Sequence, residues 1–149
     1  MNAASTTTAI RVAAEVRANL DEGGENRRLR LGVPGWPGSA PGQFAMLSPG
    51  PCGAAERFDP LLPRPMAVYR TAPEPGGAEL EILYKRSGRG TRLLAGTQPG
   101  ETVRLVGPLG VGFPLPQVGQ RALLVGGGTG IASLYELAAA AHARGPPGT

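Results

Sequence analysis

Cysteine is almost missing from this sequence: Cys52 is the only one in 149 residues. A single thiol excludes an intrachain disulfide, a cysteine-based zinc cluster and a four-thiolate iron–sulfur site built by this chain alone. It fits a reduced, cytoplasmic setting. Aromatic residues make up only 5% against 41% hydrophobic residues, so the core must rest on Leu, Val, Ile and Ala. Long apolar runs are lacking as well. No stretch holds the roughly 18 apolar residues that cross a bilayer, and Met1 to Thr8 lacks the basic region and apolar run of a secretory leader. The expectation is a soluble protein with no membrane association. The net charge is +4, but the basic residues are scattered and no aromatic-plus-basic platform is formed, which argues against nucleic acid as a partner. The densest basic patch, Arg27, Arg28 and Arg30 beside Glu25, reads as the solvated face of a strand.

Glycine and proline are plentiful, at 24 and 16 residues. Many of them separate short alternating apolar runs, so they read as turns of a β-rich fold. Ile10, Val12, Ala14 and Val16 alternate with polar residues and predict a half-buried strand. After Asp21-Glu22-Gly23-Gly24, a turn by composition, Leu29, Leu31 and Val33 predict the return strand of a hairpin. Phe44 to Leu47, Met66 to Arg70, Leu80 to Lys85 and Thr102 to Val106 supply four more. Six strands in about a hundred residues imply a barrel or a sandwich. Residues 49 to 63 form a Pro/Gly-rich loop, and Thr91 to Ala95 predicts one or two helical turns that would plug a barrel end. From Arg121 the texture changes. Ala122 to Val125 is a fully apolar run of the kind found in buried parallel strands, Gly126-Gly127-Gly128-Thr129-Gly130 follows, and Ser133 to Arg144 reads as a helix with Leu134, Leu137, Ala138 and Ala141 on one face. One strand and one helix cannot make a doubly wound sheet, so the sequence reads as truncated there.

Three places offer chemistry. Arg64, at the entry to a strand in Arg64-Pro65-Met66-Ala67, can clamp a pyrophosphate by charge-assisted hydrogen bonds, although a lone arginine before proline is more often solvated. In Leu83-Tyr84-Lys85 followed by Gly88-Arg89-Gly90-Thr91, the glycines let backbone N–H groups approach an anion and Thr91 adds a hydroxyl. Tyr84 alone is as well explained by a ring packed on the core. Gly126 to Gly130, between an apolar strand and a helix, sits where α/β folds take dinucleotide phosphates. His142 and Cys52 have no partner set for nucleophilic or metal chemistry and read as an exposed helix-end histidine and a loop cysteine.

Taken in order, Pro41-Gly42-Gln43-Phe44, Arg64 to Ala67, Leu83 to Lys85, Gly88 to Thr91, Gly107-Pro108-Leu109-Gly110-Val111-Gly112-Phe113 and Gly126 to Ile131 resemble the ferredoxin reductase-like flavoproteins. Within that superfamily they look most like the electron-transfer subunits of dihydroorotate dehydrogenase B. The resemblance covers about residues 8 to 144. It implies a mainly β fold: a six-stranded antiparallel Greek-key FAD-binding barrel over 8–117, then the first β-α unit of a truncated NAD-binding α/β domain over 121–149. It further implies that Arg64 binds the FAD diphosphate, Pro65, Met66 and Ala67 line the flavin, and Leu83, Tyr84 and Lys85 pass along the cofactor. Gly90 and Thr91 would hold its phosphates, and Gly126, Gly127, Gly128, Thr129 and Gly130 would face NAD(H). In that family a [2Fe–2S] cluster, held by cysteines of a C-terminal part that this sequence lacks, relays electrons to an FMN-containing dihydroorotate dehydrogenase catalytic subunit of pyrimidine biosynthesis. Two positions depart from the family pattern: Ala67 stands where a serine is usual, and Val111 where a polar residue is common. The alternatives are another NAD(P)H-dependent flavin or ferredoxin reductase of the superfamily, and a non-catalytic β-barrel binding module.

Overall fold

A computed structural model of the chain describes residues 7–48, 62–117 and 120–144. Most of the Pro/Gly-rich loop, Cys52 included, lies outside the described residues. Seven strands, β1 (Ile10–Gly23), β2 (Asn26–Pro34), β3 (Phe44–Ser48), β4 (Arg64–Ala67), β5 (Arg70–Glu74), β6 (Gly77–Lys85) and β7 (Thr102–Leu109), form one antiparallel sheet. Its order is β4-β3-β7-β1-β2-β6-β5.

The six expected strands and the seven observed ones are reconciled by a break. β4 and β5 are the two edges of the sheet, yet only Val68 and Tyr69 separate them in sequence. Val68 N–H donates to the Gln43 carbonyl at 3.2 Å beside β3, and Tyr69 N–H donates to the Glu81 carbonyl of β6 at 2.8 Å. One continuous segment therefore pairs with both ends of the sheet, which curls into a barrel with β4 and β5 as its two edges. With β4 and β5 counted as one strand, β3, β4/β5 and β6 run as a meander. β2 pairs beside β6 and β7 pairs beside β3, which is Greek-key connectivity.

Period-two alternation decides what the barrel encloses. Leu29, Leu31 and Val33 of β2, Leu80, Ile82 and Tyr84 of β6, Val103 and Leu105 of β7, and Ala14 and Val16 of β1 all point inward. The charged outward residues of β2 and β6 are paired across the two strands, Arg28 with Glu81 and Arg30 with Glu79. Arg30 holds Glu79 at 2.8 Å, while Arg28 holds Glu22 at 2.7 Å and Glu81 at 3.5 Å. Arg28 and Arg30 of the basic patch thus lie on the outer strand face with their charge neutralised by neighbours, whereas Arg27, expected on the same face, has the opposite parity, bonds Asn19 and has a side chain only 19% exposed. β1 is longer than the alternation predicts, because register shifts between Val16 and Ala18 and between Asp21 and Gly23 interrupt the period without ending the pairing.

A short helix, α1 (Arg89–Ala95), closes one end of the barrel with Leu94 fully buried. Asn19 ties it down: its side-chain amide donates to the carbonyls of Leu94 at 2.9 Å and Thr97 at 3.2 Å. Its amide oxygen accepts from the Tyr84 hydroxyl at 3.1 Å and from Arg27 Nε at 3.2 Å. Burial pushes the Tyr84 phenol above its ordinary pKa, against the opposing influence of Arg27 and Asn19. Tyr84→Phe should cost about 0.5–1.5 kcal/mol of stability, the usual worth of one hydrogen bond. Urea denaturation checks this, and a ligand affinity that fell as well would show that Tyr84 does more than pack.

The last part of the chain departs from expectation. Ala122 to Val125 forms no strand, and Leu123 and Val125 are 89% and 80% exposed. A buried parallel strand needs partners on its edges, and no strand among the described residues lies alongside this run. A 3₁₀ turn (Gly128–Ile131) leads directly into α2 (Ala132–Ala143). Of the expected apolar face of α2, Leu137 is buried, Leu134 and Ala141 are half-buried and Ala138 is exposed.

Candidate functional site

Strand β4 and the head of α1 meet at one point. Gly90 is buried, and the place where its Cβ would stand lies 2.5 Å from Arg64 Nε and 3.3 Å from Arg64 Cγ. Glycine at 90 therefore makes the space in which the Arg64 side chain lies. Among the described residues no carboxylate or carbonyl accepts a hydrogen bond from that guanidinium. A half-buried cation with no partner among the described residues invites an anion. Thr91, also expected at this point, spends its hydroxyl on the backbone: Oγ1 accepts from Ser87 N–H at 3.1 Å and Gly88 N–H at 3.0 Å and donates to the Gly88 carbonyl at 3.0 Å. Its visible contribution is to shape the turn that presents Gly90.

From Arg64 the chain runs along β4. Met66 turns inward and belongs to the core, whereas Pro65 is exposed and Ala67 half-exposed. Across the barrel seam, β6 lies beside β4. Its Leu83 points outward, Tyr84 inward and Lys85 into solvent. Strand pleating explains the difference: of three consecutive residues, the middle one faces the opposite side. The structure thus brings Leu83, but not the Tyr84 ring, to the outer face.

That outer face is one wall of a cleft of about 390 Å³ lined by Tyr69, Leu83, Arg28, Asn26 and Glu22, with Gly128 and Thr129 opposite. The size lies within the usual range for small-molecule sites. The glycine turn is therefore placed against the barrel. Gly128 has φ of +55°, the left-handed region that favours glycine. Gly126 leaves room for packing: a Cβ there would stand 3.1 Å from Leu134 Cδ1. Gly127 and Gly130 have open space around them. Tyr69 and Arg28 were missed by motif reasoning. Tyr69 lies just past the Arg-Pro-Met-Ala motif on the outward side of the same segment, so extending the alternation from Pro65 and Ala67 would have found it. His142 is exposed in the last turn of α2, and no cluster of potential metal ligands occurs among the described residues.

The arrangement is elongated. Arg64 and Gly90 mark one end and Tyr69, Leu83 and Thr129 the other, with at most five residues of strand between them, about 16 Å. A ligand with an anionic group at one end and a flat apolar body at the other suits that spacing.

No family model matches the chain. Among curated proteins, it is 46% identical over 102 residues to the dihydroorotate dehydrogenase B (NAD(+)) electron transfer subunit of Geobacillus sp. strain WCH70, covering 67% of this chain and 37% of that protein. It is 47% identical over 107 residues to the subunit of the same name from Bacillus caldolyticus, covering 70% and 39%. The chain thus spans less than two fifths of the length of these relatives. Among solved structures, the cytochrome P450 reductase GcoB of Amycolatopsis superposes with a TM-score of 0.76 at 29% identity, covering 94% of this chain and 41% of that one. An NADH-dependent reduced ferredoxin-NADP oxidoreductase gives 0.74 at 28%, covering 91% and 46%.

Proposed function

We propose that this chain, homologous over its matched residues to dihydroorotate dehydrogenase B electron transfer subunits and built on the ferredoxin reductase-like fold, binds FAD along β4 and passes electrons from NAD(H). The observation that carries the reading is the Arg64 guanidinium, unpaired among the described residues and lying in the space that Gly90 leaves open. That pairing suits a diphosphate, which FAD has and FMN lacks. The flavin and nicotinamide would supply the hydride and electron chemistry, and the protein binds and orients them.

On this reading Arg64 holds the diphosphate by charge-assisted hydrogen bonds, with Gly90 giving its side chain room and Thr91 fixing the turn. Pro65 and Ala67 line the path to the cleft, while Leu83 and Tyr69 offer apolar walls to the flavin ring. The Gly126 to Gly130 turn faces the nicotinamide dinucleotide from the other side. Met66 and Tyr84 act from within the core, by shaping β4 and β6. Residues 8–117 form the FAD-binding unit and residues 121–149 open the nicotinamide-binding one. The printed names of the relatives point to a complex with a catalytic subunit; we take that partner to be an FMN-containing dihydroorotate dehydrogenase. The iron–sulfur step of such a complex cannot rest on this chain's cysteines, since it has one. No helix among the described residues is long and apolar enough to cross a membrane, which suits a cytoplasmic enzyme of pyrimidine biosynthesis.

Heat release of the cofactor from purified protein, followed by chromatography, tests the reading. FAD is the expected product; FMN, or protein that stays colourless after reconstitution with FAD, would overturn it. A finer test addresses Ala67. A serine hydroxyl there should add a hydrogen bond to the flavin of about 0.5–1.5 kcal/mol, so Ala67→Ser is expected to shift the flavin's reduction potential and absorption spectrum without changing thermal stability. Identical potentials and spectra would mean that residue 67 does not face the flavin.

A further inference from the structure

Tyr69 and the first two residues of β5, Arg70 and Thr71, meet two consecutive residues of α2, Tyr135 and Glu136. The Arg70 guanidinium carbon lies 4.3 Å from the centroid of the Tyr135 ring and 5.2 Å from that of Tyr69. The two rings are 4.8 Å apart and inclined at 56°. Glu136 lies beside Thr71, whose influence favours the charged carboxylate, but burial outweighs it and pushes the carboxyl above its ordinary pKa. Among the described residues Arg70 forms no ion pair, and its Nε is buried without an acceptor. The guanidinium is therefore held by aromatic faces, an arrangement whose strength grows as water is excluded.

The position of this contact gives it a role. Tyr69 belongs to both structures: one face packs against Tyr135 and Arg70, and the residue also lines the 390 Å³ cleft with Leu83, Gly128 and Thr129. Gly128 and Thr129 lie in the turn that runs without a break into α2, so the seat of α2 sets where that turn stands. Leu123, Val125 and Ile131 do not anchor the turn, being 89%, 80% and 44% exposed, so the contacts of Arg70 and Tyr135 act beside the buried Ala132 and Leu137 in seating α2.

We propose that Arg70 and Tyr135 are positioning residues that clamp α2 to β5, thereby fixing Tyr69 and the Gly128-Thr129 turn across the cleft from each other. The clamp itself stands on the contacts alone; its consequence for the flavin rests on the reading of the cleft given above. Losing it leaves the barrel intact, because neither residue belongs to the buried core. It lets the turn move away from the barrel wall.

The experiment is hydrogen exchange on the full chain without added FAD, comparing wild type with Arg70→Ala, Tyr135→Ala and Tyr135→Phe. Arg70→Ala and Tyr135→Ala should speed exchange over residues 126–143 by about threefold to thirtyfold, the range corresponding to loss of a cation–π contact. β1, β2 and β6 should keep their rates, and Tyr135→Phe, which retains the ring, should match wild type. Unchanged exchange in α2, or equal acceleration throughout the barrel, would overturn the clamp. With FAD bound, Arg70→Ala should also raise flavin fluorescence as Tyr69 loses its fixed place at the ring, while Arg70→Lys restores the wild-type signal. An altered exchange pattern with an unaltered flavin spectrum would overturn the link to the cleft and leave the clamp standing; failure to bind FAD at all would count against the functional reading and leave the exchange result unaffected.

Discussion

Arg64→Ala is expected to weaken FAD binding by about 1.5–3 kcal/mol, which is roughly a tenfold to hundredfold rise in the dissociation constant for a hydrogen bond to a charged group. The size follows from the setting. The guanidinium lies half-buried at the head of β4, with no protein acceptor for it among the described residues. Its removal therefore leaves none of the described residues unpaired, and the folded state should keep its stability while the ligand loses a partner. Gly90→Ala provides an independent approach to the same point. A Cβ at 90 would stand 2.5 Å from Arg64 Nε, so the arginine has to swing aside, and affinity should fall by a similar amount although the guanidinium is still present. Titration of apoprotein with FAD, followed by flavin fluorescence, measures both. Should Arg64→Ala bind FAD as wild type does, Arg64 takes no part in binding and the diphosphate lies elsewhere. Should Gly90→Ala alone be silent, the side chain reaches the diphosphate by another path.

Much of this architecture can be read from alternation. The inward set Leu29, Leu31 and Val33 is legible because β2 has a charged outer face, and the period-two contrast is strong where one face is wet. Arg64, Gly90 and the glycine turn were legible as motifs for a different reason: each needs a particular residue type at a fixed place, a cation, an absent Cβ or a left-handed backbone. What was hidden depended on the third dimension. The break at Val68–Tyr69 lets one segment close the barrel, yet the local pattern there differs little from an unbroken strand, since hydrogen bonds to Gln43 and Glu81 decide it. The inward turn of Tyr84 was available from the pleat, but a motif that names three consecutive residues obscures which of them can face a ligand. Ala122 to Val125 shows the opposite failure. Its composition is that of a buried strand, but pairing is a property of two segments, and an apolar run does not become a strand without the second. The contacts of Arg70 with Tyr135 link residues 65 positions apart and leave no local periodic trace.

Leu94→Ala is expected to cost about 2–5 kcal/mol of folding stability, the usual range for truncating a buried leucine. Seven residues are too few to make α1 helical on their own, since nucleation is costly and isolated helices of this length are marginal in water. Its persistence depends on packing, and Leu94, at 1% exposure, is the only large α1 side chain fully enclosed by the barrel. Truncation would leave a void at the barrel end that the strands, held in one hydrogen-bonded, curled sheet, cannot easily collapse to fill. Asn19 amplifies the effect, because its bonds to the Leu94 and Thr97 carbonyls require the last turn of α1 to stay where it is. The same displacement would carry Gly90 away from Arg64, so the variant should lose FAD affinity along with stability, and saturating FAD should recover part of the loss by mass action. Urea denaturation with and without FAD separates the two effects. A loss below about 1 kcal/mol with an unchanged denaturant slope would mean that α1 rests on the barrel without plugging it, because a leucine that is merely covered costs far less to truncate than one that fills the core. In that event the Arg64–Gly90 contact would have to be held by the Thr91 turn and the Asn19 bonds alone.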